Sequence, residues 1–162
     1  MIRSLIQFAR GGHRSVGALN EAGHAFALGG AETQVDRHGL ADLGAKSEEE
    51  ALQAARRFLS YLPSNARQPL PLTACGDPAD RREETLVDLV PNNPRKGYDV
   101  RKIIRAIVDR DSFFELKARF GKVATIGLAR LAGGVVGVVA NNPLFKGGAL
   151  DVDACEKITG FL

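Results

Sequence analysis

Two adjacent glycines, Gly147 and Gly148, lie in the stretch "NNPLFKGGALD", between a strand-like apolar run and a helix-like ending. Glycine has no Cβ and adopts unusual φ values at little cost, so a glycine pair at such a turn allows another group to approach the backbone. This turn can therefore bind a ligand through its backbone groups. On spacing alone, a tight turn that only connects strand to helix explains the pair better.

Side chains that commonly do chemistry are scattered through the rest of the chain. Cys75 and Cys155 lie far apart without CxxC spacing, so we expect two reduced thiols and neither a disulfide nor a metal site. Ser112 has no histidine near it in sequence, and a nucleophile needs an activating base. All histidines fall in the first quarter without metal-ligand spacing: His13, His24 and His38.

Charged residues near the glycine turn have ordinary explanations. Asp151 and Asp153 are explained better as caps of a following helix than as paired carboxylates. The basic dipeptide Arg95–Lys96, beside Gly97 and Tyr98, can contact a phosphate, but exposed basic residues in a loop are the default interpretation.

Composition places the chain among ordinary globular proteins. Its 162 residues are 44% hydrophobic and 25% charged, with a net charge of +3. The basic residues are interleaved with acidic ones, so we expect no nucleic-acid partner. The longest apolar runs are far too short to span a bilayer, and the start lacks a secretory h-region, so we expect a cytoplasmic protein without a membrane partner.

Two helices are predicted with clear boundaries. Ser47 followed by Glu50 forms a capping box, and Pro63 ends the helix. Its apolar stripe is formed by Leu52, Ala55, Leu59 and Leu62, with Phe58 beside them. Asp99 is the expected cap of a second helix, whose apolar face is Val100, Ile103, Ile104, Ile107 and Val108, with Arg101, Lys102 and Arg105 on the opposite side.

Other segments are less regular. A short helix is possible at Ile2–Phe8, and residues 31–43 suggest a hairpin or an irregular turn. Six of the seven prolines fall between Pro63 and Gly97, which predicts a long extended connector between two structural units. The aromatic residues Phe113 and Phe114 are expected in the core. The last third predicts a hairpin of Val123–Leu131 and Val135–Ala140, followed by a helix capped by Asp151 or Asp153.

Several phrases occur together in an unusual order: "SYLP", "VP…YDVRKII", "FFE", "G.ARL.G..VG.VAN.P" and "G.LD..A.EK". In this order the chain resembles the middle of a biotin-dependent acyl-CoA carboxyltransferase subunit, the family of the propionyl-CoA carboxylase β subunit and the methylmalonyl-CoA decarboxylase α subunit. The likeness runs from about Gly29 to Leu162.

The resemblance implies an α/β fold of crotonase-like β-β-α units, present as two incomplete lobes. Residues 29–66 would be the tail of the N-terminal half, which binds CoA in the family. Residues 67–97 would be the proline-rich linker, and residues 98–162 the start of the C-terminal half, which receives carboxybiotin. Residues 1–28 form a divergent segment outside the likeness.

The implied activity is transfer of a carboxyl group between carboxybiotin and a short acyl-CoA of the propionyl-CoA or acetyl-CoA type. Biotin would arrive on a separate biotin carboxyl carrier protein or biotin carboxylase subunit, coenzyme A would be part of the substrate, no metal would be bound, and the chain would form a homo-oligomer. The backbone N–H groups of Gly148 and Ala149 would form half of an oxyanion hole, and Gly147 and Gly148 would line the cofactor site.

Departures from the family pattern limit this expectation. The glycine-glycine-alanine turns that family members carry in the first half and late in the second half are missing, since Gly147–Ala149 lies near the start of the second half. We therefore expect a fragment or truncated relative that does not turn over alone. One alternative is a non-catalytic oligomerisation or interaction module derived from the family. A crotonase-type hydratase or isomerase is a third possibility, which the proline-rich connector disfavours.

Overall fold

The computed structural model describes residues 8–10, 30, 32–78, 80–93 and 95–162, with residues 8–10 described as backbone only. Most of the possible helix at Ile2–Phe8 lies outside these residues, and Phe8 itself belongs to a strand. Between residues 31 and 43, the structure forms a single π-helical turn, Thr33–Arg37, where a hairpin or an irregular turn was expected.

Two sheets and four α-helices follow along the described chain. The helices are α1 (Glu48–Leu59), the single turn α2 (Leu86–Leu89), α3 (Val100–Ile107) and α4 (Val152–Phe161). The strands β1 (Phe8–Arg10) and β2 (Leu43–Ala45) pair in parallel. The strands β3 (Phe114–Leu116), β4 (Ala124–Leu131) and β5 (Gly134–Asn141) form an antiparallel sheet in that order. None of the described helices is long and apolar enough to cross a membrane.

Helix α1 begins at its predicted cap. The Ser47 Oγ accepts a hydrogen bond from the Glu50 N–H at 3.2 Å, and the Glu50 carboxylate accepts one from the Lys46 N–H at 2.7 Å. The predicted stripe is partly wrong, because Leu52 and Leu59 are exposed. Phe58 and the buried Tyr61 pack against Phe114 instead.

The predicted hairpin is confirmed as β4 and β5, with Arg130 paired to Val135 and Leu131 to Gly134. Alternate residues of β4 point to opposite faces of the sheet. Ile126 packs with Tyr61 and, through partly buried neighbours, with the Ile158 side of α4. Ala129 packs on the other face with Ile104 of α3. Both faces of the sheet therefore contribute to the core.

Helix α3 is capped by Asp99, as expected, and its carboxylate accepts a hydrogen bond from the Arg101 N–H at 3.1 Å. Ile104 and Val108 are buried, and Phe113 is buried beside them. Arg101, expected opposite the apolar face, has a side chain that is largely buried against Glu115. Ile107, expected on the apolar face, is 57% exposed.

The proline-rich stretch contains no helix or strand between Ser60 and Thr85 in its described residues, in agreement with its composition. The single turn α2 lies within the connector that was expected to be extended as far as Gly97. Polar contacts fix it to the hairpin. The Thr73 N–H donates to the Gly133 carbonyl at 3.2 Å, and the Arg130 guanidinium donates to the carbonyls of Ser60, Pro71 and Gly133. The same guanidinium lies 5.0 Å from the centre of the Tyr61 ring.

Candidate functional site

The glycine turn connects β5 to α4, as predicted. Lys146, Gly147 and Gly148 form a short 3₁₀ turn with φ angles of 48°, 64° and 84°. Such angles are unfavourable for residues with a Cβ, which explains the two glycines. A Cβ at Gly147 would meet no atom within 4 Å, so this side of the turn is open.

Contacts on both sides hold the turn. The Lys146 ammonium lies 2.6 Å from the Asp151 carboxylate, whose other oxygen accepts from the Ala154 N–H and so caps α4. The hydrogen bond between the two side chains raises the pKa of Lys146 and lowers the pKa of Asp151. On the other side, the Asn141 Nδ2 donates to the Gly148 carbonyl at 3.1 Å.

The two backbone amides assigned to an oxyanion hole already have acceptors within the turn. The Gly148 N–H donates to the Phe145 carbonyl at 2.9 Å, and the Ala149 N–H donates to the Lys146 carbonyl at 3.2 Å. A ligand oxygen would have to replace these carbonyls. The role of Gly148 and Ala149 therefore stays a prediction.

An open depression of about 340 Å³ brings the two predicted candidate segments together. Its wall includes Gly147 on one side and Arg95, Lys96 and Tyr98 on the other. Gly97 permits this approach, because a Cβ there would lie 2.5 Å from the Pro143 carbonyl oxygen. Arg95 and Lys96 are exposed, so two positive charges lie at the edge of the depression, beside the open glycine turn. We call these two residues the cationic rim.

A buried asparagine fixes one segment to the other. Asn142 is 0% exposed; its Nδ2 donates to the Asp99 carboxylate at 3.1 Å, and its Oδ1 accepts from the Leu144 and Val100 N–H groups. The start of α3 and the start of the glycine turn are thus joined through one side chain. No periodic pattern in the sequence marks this residue.

A second cluster, formed by Cys75, Asp77 and Asp109, has the ligand types and spacing for a metal ion. Its carboxylates already have partners: Asp77 pairs with Arg81 and Arg110, and Asp109 accepts from the Ala132 and Gly133 N–H groups. Burial raises the pKa of Asp109, but these backbone hydrogen bonds outweigh it, and the net pKa is lowered. The cluster attaches the irregular segment to the hairpin turn.

Among the residues that the structure describes, the remaining candidates do not form a catalytic group. The Ser112 hydroxyl donates to the Asp109 carbonyl at 2.6 Å and accepts from the Arg130 N–H. Cys155 and His38 are exposed, while His13 and His24 lie outside the described residues.

The core contains an ionisable side chain that the sequence did not predict. Lys157 on α4 is 1% exposed, and its ammonium donates to the carbonyls of Lys117, Phe120 and Ala124 at 2.8, 3.0 and 2.7 Å. Burial lowers its pKa to about 8. Its acceptors are backbone groups more than thirty residues away in sequence, so no pattern of side chains predicts these contacts.

Comparison with known proteins gives consistent results. The carboxyl transferase domain family matches residues 11–162, and so includes residues 11–28, which the sequence analysis placed outside the likeness. The propionyl-CoA carboxylase beta chain of Roseobacter denitrificans is 39% identical over 143 residues, covering 88% of this chain and 28% of the relative. The mitochondrial propionyl-CoA carboxylase beta chain of Homo sapiens is 36% identical over 135 residues, covering 83% of this chain and 25% of the relative.

Solved structures agree. The hexameric transcarboxylase 12S with hydrolysed methylmalonyl-CoA bound superposes with a TM-score of 0.80 at 34% identity, covering 85% of this chain and 27% of that one. The chain spans about a quarter of the length of these relatives. With a family match over most of its length, the chain belongs to the carboxyl transferase domain family.

Proposed function

We propose that the chain is part of an acyl-CoA carboxyltransferase that transfers a carboxyl group between carboxybiotin and a short acyl-CoA of the propionyl-CoA or acetyl-CoA type. The observation that carries the proposal is the family match over residues 11–162. The glycine turn and the cationic rim beside it support a ligand site in this part of the chain.

At the level of architecture, we propose crotonase-like β-β-α units divided between two incomplete lobes. Residues 1–28 are a divergent start, of which residues 11–28 fall within the family match. Residues 29–66 are the tail of the first lobe, 67–97 the linker and 98–162 the start of the second lobe. The lack of helix or strand between Ser60 and Thr85 among the described residues supports the linker.

In the proposed mechanism, the N–H groups of Gly148 and Ala149 would hold the ureido oxygen of biotin and would supply hydrogen-bond donors to negative charge there. A preorganised amide donor of this kind lowers the activation free energy of a reaction by about 2.7–4 kcal/mol. The turn must first exchange the Phe145 and Lys146 carbonyls for the ligand oxygen. Because Gly147 and Gly148 tolerate a wide range of φ, this exchange has a low conformational cost.

The proposed partners follow from this chemistry. Biotin is carried on a biotin carboxyl carrier protein or a biotin carboxylase subunit, the acyl-CoA is the second substrate, and the chain forms a homo-oligomer in the cytoplasm. The Cys75–Asp77–Asp109 cluster has no role in the proposed transfer, for which we propose no metal. The isolated chain supplies half of an oxyanion hole and is expected to be inactive.

The alternative is a non-catalytic oligomerisation module of the same family. Exposed apolar side chains favour it, because Ile107 and Leu131 are 57% and 44% exposed and line one open depression of about 400 Å³. Such a surface is typical of a protein interface. This alternative requires no ligand at the glycine turn.

Binding of biocytin, a soluble form of biotinyl-lysine, separates the two functions. Ala149 has a φ of −71°, which proline also adopts, so Ala149→Pro removes the amide donor without changing the backbone angle. We expect biocytin to shift the amide resonances of Gly147–Ala149, and Ala149→Pro to weaken binding about two- to tenfold, the loss expected for one hydrogen bond between neutral groups.

The matched control is Ala149→Ser, which keeps the N–H group and should bind as the unaltered chain does. Absence of biocytin-dependent shifts at the turn, together with association measured by sedimentation, would favour the oligomerisation module.

A further inference from the structure

Asn141 is placed to control the orientation of one amide of the candidate site. It is the last residue of β5, and its Nδ2 donates to the Gly148 carbonyl at 3.1 Å. We propose that Asn141 is a positioning residue that sets the Gly148–Ala149 peptide for ligand binding. This inference rests on the proposed function, in which the Ala149 N–H is a donor.

The link from carbonyl to amide is covalent geometry. The Gly148 C=O and the Ala149 N–H belong to one planar trans peptide and point in opposite directions. A hydrogen bond that fixes the carbonyl therefore fixes the direction of the N–H. Asn141 acts on Ala149 in this way without touching it.

The glycine makes such a restraint necessary. Gly148 has a φ of 84°, and glycine populates positive and negative φ about equally. Rotation of the following peptide plane is therefore less hindered than it would be beside another residue. The turn hydrogen bond that opposes rotation, from the Ala149 N–H to the Lys146 carbonyl, is 3.2 Å long, at the upper end of the usual range.

The donor, in contrast, lies at the end of a paired strand. Asn141 is paired with Ala124 at the end of the hairpin, and the side chain of its neighbour Asn142 is fully buried against Asp99. A donor on the strand thus faces an acceptor in the glycine turn. We infer that Asn141 holds the Ala149 N–H where a ligand oxygen competes with the Lys146 carbonyl.

The test uses Asn141→Leu and Asn141→Asp, neither of which retains an amide donor. Asn141 is exposed, so both variants should keep the fold. We expect the Ala149 amide to exchange with solvent several-fold faster in both variants while the amides of β4 and β5 are unchanged, a local effect that general destabilisation would not produce. Biocytin should bind about tenfold more weakly, the loss expected when one pre-ordered hydrogen bond is lost.

Asn65→Asp is the matched control, because the Asn65 Oδ1 accepts from the Arg67 N–H and an aspartate retains that acceptor. Unchanged exchange at Ala149, or biocytin binding equal to or tighter than in the unaltered chain, would overturn the role of Asn141. If the unaltered chain does not bind biocytin, the proposed function fails, whereas faster exchange in Asn141→Leu still supports Asn141 as the residue that sets this peptide.

Discussion

Backbone conformation, more than side-chain chemistry, distinguishes the turn between β5 and α4. Lys146, Gly147 and Gly148 all have positive φ, and the open space at Gly147 means that a methyl group there would not collide with any neighbour. The effect of a substitution at Gly147 is therefore backbone strain alone. At Gly148 an added Cβ would make ordinary contact with Pro143 at 3.6 Å.

We expect Gly147→Ala to lower the free energy of unfolding by about 1 kcal/mol, because a residue with a Cβ is strained at positive φ. The matched control is Gly160→Ala in α4, where a Cβ also meets no atom within 4 Å but the backbone is helical. That change should stabilise the chain by up to about 1 kcal/mol. Urea unfolding of both variants measures the difference, and equal effects would contradict the role of φ.

Lys157 is a buried charged residue that holds the chain around it through hydrogen bonds to backbone carbonyls. Replacing it in Lys157→Met removes the donor to the carbonyls of Phe120 and Ala124, whereas the Lys117 carbonyl still accepts from the Phe120 N–H. Each unsatisfied buried carbonyl costs about 1–3 kcal/mol, so we expect a loss of several kcal/mol in the free energy of unfolding. Lys122→Met, at an exposed lysine, is the control and should have an effect within about 0.5 kcal/mol.

Lys157 also gives stability a dependence on alkaline pH. Its pKa falls to about 8 in the folded chain from an ordinary value of 10.5, so between these values only the unfolded chain holds the proton. Unfolding then takes up a proton, and the free energy of unfolding rises with pH by at most about 1.4 kcal/mol per unit. Below pH 8 this contribution is constant. Lys157→Met should lack the rise, and parallel pH profiles of the two chains would contradict it.

At the scale of elements, an ion pair joins α3 to β3. The Arg101 Nε lies 2.8 Å from both oxygens of Glu115, and both side chains are largely buried. The hydrogen bond to Glu115 raises the pKa of Arg101. Removal of either partner leaves an uncompensated charge in a poorly hydrated place.

We expect Arg101→Met and Glu115→Leu each to destabilise the chain by about 3–5 kcal/mol, and the double variant to lose much less than their sum. Chemical unfolding of all four chains gives the coupling energy. The exposed pair of Arg119 and Asp36 provides the control, since Arg119→Met should cost less than about 1 kcal/mol. Additive losses at Arg101 and Glu115 would contradict the coupling.

The elements that the sequence predicted well are those specified by neighbouring residues. The caps of α1, α3 and α4, and the hairpin with its glycine turn, follow from local chemistry and local periodicity. The contacts that the sequence did not predict depend on partners distant in the chain. They are the Arg101–Glu115 pair, the hydrogen bonds from Lys157 to backbone carbonyls and the Asn142 link between α3 and the turn. The apolar stripe of α1 also failed, because Tyr61, just beyond the helix, supplies the packing expected of Leu52 and Leu59.

At the scale of the whole molecule, several large apolar side chains are exposed. The chain corresponds to about a quarter of the curated relatives, and Ile107, Leu131 and Val139 are 57%, 44% and 42% exposed. Exposed apolar side chains on α3 and the hairpin therefore favour self-association. Ile107 and Leu131 share one depression and form its apolar part together with Leu86.

We expect the average mass of the chain in sedimentation to rise with concentration, and the double variant Ile107→Lys with Leu131→Lys to reduce that rise, because two ammonium groups oppose burial of the surface. Ala66→Lys with Gln68→Lys adds the same charge at exposed positions of the irregular segment and serves as the control. Equal association of both double variants would show that net charge, and not this surface, controls self-association.

The run of positive φ angles at Lys146–Gly148 has a stereochemical consequence. Over these residues the backbone has the opposite hand to the rest of the described helices and turns around it, so it suits a mirror-image amino acid. In a chain assembled by chemical ligation, D-alanine at position 147 would relieve the strain that L-alanine creates there. The turn thus distinguishes the two enantiomers through the sign of its φ angles.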